Sequence, residues 1–541
     1  MKTLIIAIAL TLSIGTATAE GSPAATIDTA LASFAGPADA PGCAVGVQSG
    51  NSAPEFRAFG TADLEHAVPI GADTVFEAGS VSKQFTAAAT LVLVSEGKLS
   101  LDEDIRKYLP ELPDYGHPIT IAELLGHTSG LRDWGDIEAI AGWPRADRIY
   151  EMADVLHITA RQRALNFSPG TAWSYTNTGF NLLVLIVQRV SGVGFVDFTR
   201  EHLFKPLGMT HTQWRDDFRR IVPNRAVAYE RLSDGVYEQL MPFENTYGHG
   251  ALLTTVSDLL RWNQALTEEK LGASVTKALQ TRTLLSDGRP TVYARGLFLG
   301  SYHGLSEIFH DGSTAGYRAW LGRYPGQHLS IALLCNSGDA IPANYAHAIV
   351  DRYLPDAKPE PNRFNSTPPA SLAGIYASER DGSPLKLSFH DGKLRAGNGL
   401  IVMAGPRDAL AFERKDGRVA MTGAVVAGGR IRIDREGDAT FFTRQQAYSP
   451  TPGELAHMTG RFHNAEVPVT YQITAAKNGL QVIAEDRPGQ TRLFVPAYAN
   501  AFIAGDTVLR PVFNAQGDVT GIRVSDDRVW DLPFDRLPTT R

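Results

Sequence analysis

Ser80 and Lys83 stand three residues apart in Phe76-Glu77-Ala78-Gly79-Ser80-Val81-Ser82-Lys83, at the head of a long apolar run. Residues three apart on a helix share a face, with Cβ atoms roughly 5 to 6 Å apart, so a hydroxyl and an amine so placed can meet. They form a candidate nucleophile and base. Phe85, Ala87, Ala88, Ala89, Leu91, Val92, Leu93 and Val94 leave almost no polar face, which predicts a helix buried within a domain. In that setting desolvation disfavours the ammonium form of Lys83 and frees neutral amine to take the Ser80 proton. The unpaired N–H groups at the helix start favour negative charge developing near Ser80. Ser95-Glu96-Gly97-Lys98 repeats the spacing, but Gly97 falls where the helix should end and directs Lys98 into a turn.

A second cluster is Phe167-Ser168-Pro169-Gly170-Thr171-Ala172-Trp173-Ser174-Tyr175-Thr176-Asn177. Pro-Gly marks a turn, and Tyr175 and Asn177 point the same way if the piece is extended. A phenol beside a lysine can shuttle a proton, and a neighbouring cation would lower the Tyr175 pKa toward a useful range. The Asn177 amide can donate to a substrate carbonyl while its oxygen holds Lys83. The third cluster is Phe309-His310-Asp311-Gly312-Ser313-Thr314-Ala315-Gly316-Tyr317. Gly312 allows a substrate backbone to lie against a strand. The N–H groups of Ser313 and Ser80 together could form an oxyanion hole, whose single donors are worth about 3 to 4 kcal/mol. His310 could orient substrate or proton traffic.

In order and spacing the three clusters resemble the serine β-lactamase and penicillin-binding-protein superfamily. Ser80-x-x-Lys83 is similar to its first motif, and Tyr175-x-Asn177 to the second in the form used by class C β-lactamases and related esterases and peptidases. The third departs: His310-Asp311-Gly312 stands where β-lactamases and D,D-carboxypeptidases of that group have Lys-Thr-Gly or Lys-Ser-Gly. The His-x-Gly form resembles D-stereospecific aminopeptidases and some esterases. Leu124-Leu-Gly-His-Thr-Ser-Gly-Leu131 and Gly248-His-Gly-Ala-Leu-Leu-Thr-Thr-Val-Ser-Asp258 fit the same superfamily. The resemblance covers roughly residues 35 to 350.

It implies an α/β (α+β) catalytic domain, an antiparallel sheet flanked by helices. It also implies a serine hydrolase working through an acyl-enzyme, with Ser80, Lys83 and Tyr175 catalytic and Asn177, His310, Gly312 and Ser313 binding substrate or the oxyanion. In this fold the first strand, with Cys43, pairs with the last, with Cys335. A lysine in the third motif would hold a carboxylate, whereas His310, with an unperturbed pKa near 6.5, is mostly neutral at pH 7 unless an acid such as Asp311 raises it. Amides of N-terminal D-residues and small esters therefore fit better than carboxylate-bearing β-lactams. A class C-type β-lactamase or D,D-carboxypeptidase is the alternative, and a penicillin-binding sensor with slow deacylation is a third reading.

At 541 residues the chain is long enough for several domains. Its net charge of −7, with acids and bases interspersed, lacks the basic footprint of a nucleic-acid binder. Lys2, the apolar run Leu4 to Leu12 and Ala17-Thr18-Ala19 read as a secretory signal over residues 1–19. Cleavage would remove Lys2 and no acid, changing −7 to −8, and leave a periplasmic or secreted protein with no membrane span. Two cysteines cannot make a disulfide framework or a zinc site, although one disulfide is possible after export. No His-Glu-x-x-His, paired Cys-x-x-Cys or phosphate loop occurs, so no metal or nucleotide cofactor is implied. A complete Gly-x-Ser-x-Gly elbow is also absent, which argues against an α/β-hydrolase.

Residues 20–354 alternate strand-like runs (Cys43 to Val47, Ser330 to Cys335) with helical ones (Lys83 to Glu96, Phe180 to Ser191, Ser257 to Leu266) and read as one catalytic domain. Residues 355–369 carry five prolines and read as an extended linker. Beyond it come short alternating strands with Gly and Asp turns. Gly374-Ile-Tyr376, Leu387 and Leu394 align without gaps on Gly460-Arg-Phe462, Ile473 and Leu480, and Phe442-Thr-Arg444 resembles Phe534-Asp-Arg536. Two similar units, 370–448 and 449–541, predict two small barrels, since closure removes exposed edges. The D-aminopeptidase group carries two lipocalin-like barrels, with a loop from the last one reaching the active site; Glu485-Asp486-Arg487-Pro488-Gly489 is the acidic, turn-like candidate here.

Overall fold

The computed structural model describes residues 23–34, 36–358, 362–397, 399–415, 419–435 and 437–538. The signal segment over residues 1–19 lies outside them. A six-stranded antiparallel sheet runs in the order Phe298–Tyr302, Leu305–Thr314, Tyr317–Tyr324, Leu329–Cys335, Cys43–Ser49, Glu55–Phe59. The N-terminal strand therefore lies beside the last strand in sequence, in a register that sets Cys43 opposite Cys335, and the two are joined by a disulfide.

One face of this sheet packs under Pro23–Leu31 and Pro342–Tyr353 around Trp320, Tyr324 and Ile349. The other face packs on the helical region, whose centre is Lys83–Ser95. That helix is buried on nearly every side, as its composition predicts, and contacts Asn177–Ser191 and Ala273–Leu279. It ends where Gly97 adopts φ +68. Lys98 then pairs with Glu96 at the surface, 2.8 Å away, so the second Ser-x-x-Lys forms no site.

Past residue 369 the chain forms two closed eight-stranded antiparallel barrels, from Gly374–Ser378 to Asp438–Gln445 and from Gly460–Asn464 to Val529–Arg536. The internal repeat is a repeat of register. Gly374 faces Leu387 and Tyr376 faces Arg444 in the first barrel, while Gly460 faces Ile473 and Phe462 faces Arg536 in the second. Each arginine lies over its aromatic partner, 5.3 and 5.6 Å from the ring centroid.

Ser366 pairs with Ala404 of the first barrel, and Phe364 is buried against Gly405. The second barrel shares one apolar cluster with the helical region, in which Trp134, Ile137 and Ile140 pack with Tyr471, Phe502 and Phe534. The Tyr471 hydroxyl donates to the Ile140 carbonyl, and the nearly buried Arg132 and Glu466 pair at 2.9 Å. A polar pair cut off from water costs little only when both partners are present, so these contacts fix the docking of the barrel.

Candidate active site

Ser80 sits in a 3-10 turn, Gly79–Ser82, that runs directly into the helix Lys83–Ser95. Two glycines let this turn touch the sheet. Gly79 adopts φ +50, and a Cβ there would stand 2.6 Å from the Ser313 nitrogen. A Cβ on Gly312 would stand 2.0 Å from the Ala78 carbonyl oxygen and 3.1 Å from the Ser80 nitrogen. The backbones of Ser80 and Ser313 thus lie side by side with no side chain between them. Phe298–Tyr302 pairs with the neighbouring strand only as far as Phe309, so residues 310–314 present an open strand edge beside Ser80.

Lys83 is fully buried, with its amine 3.0 Å from Ser80 Oγ, 3.0 Å from Asn177 Oδ1 and 2.6 Å from the His249 carbonyl oxygen. Burial, and then the positive charge of Arg528, hold its pKa well below the usual lysine value. A neutral amine has two hydrogens and one lone pair. The Asn177 and His249 oxygens can only accept, so they take both hydrogens and leave the lone pair facing the Ser80 hydroxyl.

Tyr175 departs from the sequence expectation. Its pKa is raised, not lowered, because burial outweighs the Ser80 and Arg528 contributions that favour its anion. Lys83 lies over the ring face, 4.7 Å from the centroid, so its charge meets the π-system more than the oxygen. The Tyr175 hydroxyl, buried from solvent, faces the Ser80 side chain. It is a phenol available to donate.

Asp133 fixes the second cluster. Its carboxylate accepts from the Asn177 N–H at 2.6 Å and from Thr176 Oγ1 at 3.3 Å, and caps the helix Trp134–Ile140 through the Gly135 N–H at 3.0 Å. Thr176 in turn caps Asn177–Ser191 through the Thr178 N–H. The His249 ring is held between Asn181 Nδ2, at 2.8 Å from Nδ1, and Arg145, at 3.0 Å from Nε2. Arg145 pairs with Glu244, and deeper still the buried Arg215 pairs with Glu77 at 2.7 Å.

His310 is buried beside Tyr293, Phe298 and Tyr175. Its Nδ1 lies 2.6 Å from the Asp311 carbonyl oxygen, which can only accept, so Nδ1 carries the hydrogen and Nε2 accepts from the Tyr293 hydroxyl at 3.1 Å. Burial, then the Lys83 charge, push its pKa down to about 3. It is a neutral imidazole, and the Asp311 carboxylate, 3.8 Å from Nδ1, does not reverse that. The Asp311 side chain, 70% exposed, opens into the catalytic cavity, where desolvation pushes its carboxyl pKa up against the lowering effect of its backbone hydrogen bond and of the Lys83 charge.

That cavity, of about 660 Å³, has three walls. The catalytic domain contributes Ser80, Tyr175, Asn177, Asp311 and Ser313, the first barrel Leu385, Ile433 and Phe442, and the second Asp527, Arg528 and Trp530. The turn of the second barrel that reaches the site is therefore the one between Val519–Asp526 and Val529–Arg536. Glu485–Gly489 does not line the cavity; Arg487 stacks on Trp143, 3.9 Å from the ring centroid, and bonds Asp147 at 2.6 Å, outside it. The Arg528 carbonyl accepts from the Asp133 N–H and from Asn166 Nδ2, which clamps the turn in place.

The sequence reading missed Asp133, Arg145, His249, Arg528 and the first-barrel wall. His249 lies within one of the recognised phrases and Asp133 just after the other, so both carried a signal. Arg528 carried none, because only the docking of the barrel brings it near Tyr175.

The profile of the family described as "Beta-lactamase" matches residues 27–353. The chain is 28% identical over 301 residues to penicillin-binding protein 4* of Bacillus subtilis, covering 52% of this chain and 64% of that protein. It is 25% identical over 445 residues to a D-aminopeptidase of Cereibacter sphaeroides, covering 81% and 82%. The first of these matches spans a little under two thirds of the relative's own length. Among solved structures, a penicillin-binding protein from Bacillus halodurans superposes with a TM-score of 0.52 at 26% identity, covering 60% of this chain and 98% of that one.

Proposed function

The chain belongs to the β-lactamase family; from that premise we propose that it is an exported serine hydrolase that cleaves D-aminoacyl amides, peptides or small esters through an acyl-enzyme on Ser80. The observation that carries this reading is the charge of the third cluster. His310 is neutral and Asp311 offers a carboxylate to the cavity, one residue before the Gly312 contact. An anion there suits the ammonium of an N-terminal residue and opposes a substrate carboxylate. The similarity to D-aminopeptidases, which covers 81% and 87% of the chain and so extends into the barrel region, supports the same substrate class.

In this mechanism Ser80 Oγ attacks the carbonyl carbon while its proton passes to the Lys83 amine. The oxyanion is held by the N–H groups of Ser80 and Ser313. Tyr175, a phenol at rest, gives its proton to the leaving nitrogen as the C–N bond breaks, and recovers one from Lys83. Water then attacks the ester by the same path in reverse and releases the acid. Asn177 orients Lys83 and the substrate carbonyl. Export rests on the predicted signal over residues 1–19, and the Cys43–Cys335 disulfide supports it, since such bonds persist in oxidising compartments.

A second reading, hydrolysis of carboxylate-bearing β-lactams or D,D-peptides, draws on one observation: Arg145 and Arg528 line the cavity. Both already face carboxylates, Arg145 that of Glu244 and Arg528 those of Asp133 and Asp527, 3.9 and 3.5 Å away. The test is turnover of D-alanyl and L-alanyl anilides, a short phenyl ester and a chromogenic cephalosporin by the mature protein. Preference for the D-anilide or the ester supports the aminopeptidase or esterase reading. Efficient cephalosporin hydrolysis supports the second, and a stable adduct without turnover would mean a penicillin-binding sensor.

A further inference from the structure

The two barrels repeat one register but end differently against the catalytic domain. The second is stoppered, because Trp134 and Ile140 of the helical region pack into its apolar cluster. The first is open where it meets the site. Along its strands, alternate residues point inward, so positions two apart share the lumen face. Leu387 and Ile431 belong to the sealed core of this barrel. Two residues from each, Leu385 and Ile433 line the catalytic cavity, together with Phe442 and Met421 from neighbouring strands. Thr440 and Asp438, two and four residues from Phe442, continue this wall toward the rim.

The rim is polar and held to the catalytic domain. Asp438 accepts from the Trp173 N–H at 3.1 Å and from Arg380 at 2.7 Å, and a Cβ on Gly437 would stand 2.6 Å from Thr291 Cα. One continuous cavity is thus lined by Ser80, by a polar collar that includes Arg380, Asp381, Arg435 and Asp438, and by an apolar floor inside the barrel. Its volume of about 660 Å³ is that of a site for a drug-sized ligand and far exceeds what one alanyl group fills.

We propose that the open end of the first barrel is the leaving-group subsite, and that it selects substrates whose leaving amine or alcohol carries an uncharged aliphatic or aromatic chain. The assignment to the leaving-group side rests on the aminopeptidase reading. With the substrate ammonium at Asp311, the acyl side ends after one residue, and all remaining length lies beyond the scissile bond. Leu385, Met421, Ile433 and Phe442 then desolvate that length, past a collar in which Asp438 is paired with Arg380.

The test compares kcat/KM for D-alanine N-methylamide and D-alanine N-hexylamide in the full chain and in Met421→Glu and Phe442→Ser, the second kept in case the first fails to fold. Inhibition of phenyl-ester turnover by 4-butylaniline is read in parallel. The proposal expects the hexylamide to be preferred at least tenfold, a preference within twofold in either variant, and inhibition by 4-butylaniline that weakens at least fivefold in both. D-alanyl amides cleaved with no chain-length preference, or a preference retained in both variants, would overturn the subsite and leave the aminopeptidase reading standing. Absence of D-alanyl turnover, with inhibition that still weakens in the variants, would overturn the aminopeptidase reading and support an apolar subsite in the barrel.

Discussion

The guanidinium of Arg528 lies 5.2 Å from the centroid of the Tyr175 ring. A residue at the tip of the last hairpin of the second barrel is thereby built into the catalytic cavity. Its charge disfavours the Lys83 ammonium and favours the Tyr175 anion, so it acts on both proton carriers at once.

Arg528→Ala therefore raises the pKa of Lys83. The acid limb of the kcat/KM profile, where the free amine is lost, moves to higher pH. A cation over an aromatic face contributes about 0.5 to 2 kcal/mol, so kcat/KM falls by about twofold to thirtyfold. Arg528→Lys keeps a charge and restores part of the shift. Pre-steady-state acylation between pH 5 and 9 measures both, and an unmoved limb contradicts the coupling.

Lys83 also sets a pH dependence of stability. Its folded-state pKa is depressed, so between that value and about 10.4, the unfolded value, unfolding takes up a proton. Stability then rises with pH across that window, by up to about 1.4 kcal/mol per unit. Below the folded-state pKa both states are protonated and the slope vanishes. Lys83→Met removes this component while lowering kcat/KM by about 10²- to 10⁴-fold, the usual contribution of a general base. Urea unfolding of both proteins between pH 7.5 and 9 measures the difference in slope, and parallel lines would contradict a neutral buried amine.

Much of this site was legible in the chain. Ser80-x-x-Lys83 is a local pattern on one buried helix, and Tyr175-x-Asn177 and His310-x-Gly312 are short patterns whose order restricts the fold. The barrels were legible as a repeat, because Gly374 and Gly460 each precede a strand partner at the same offset. What the chain did not reveal depends on desolvation and docking. The neighbour that lowers a phenol pKa on paper is outweighed once Tyr175 is buried. The choice between Glu485–Gly489 and the Asp527-Arg528 turn rests on how a whole barrel packs against Trp134 and Ile140.

The Cys43–Cys335 disulfide joins adjacent strands that are already paired in register. Its main effect is on the unfolded chain, where it closes a loop between residues 292 apart. The double variant Cys43→Ala/Cys335→Ala is expected to keep its activity at 25 °C and to lose about 2 to 5 kcal/mol of stability. Thermal unfolding with and without reductant checks this: reductant lowers the midpoint of the native chain and leaves that of the variant unchanged.

The central claim is that Ser80, activated by the Lys83 amine, carries the acyl group. Intact-mass and peptide-mapping analysis of protein acid-quenched within milliseconds of mixing with a D-alanyl ester tests it most directly. The account predicts a D-alanyl adduct on the peptide containing Ser80 that forms and decays at the rate of turnover, and neither adduct nor turnover in Ser80→Ala. An adduct on another residue, or turnover that survives Ser80→Ala, would contradict it.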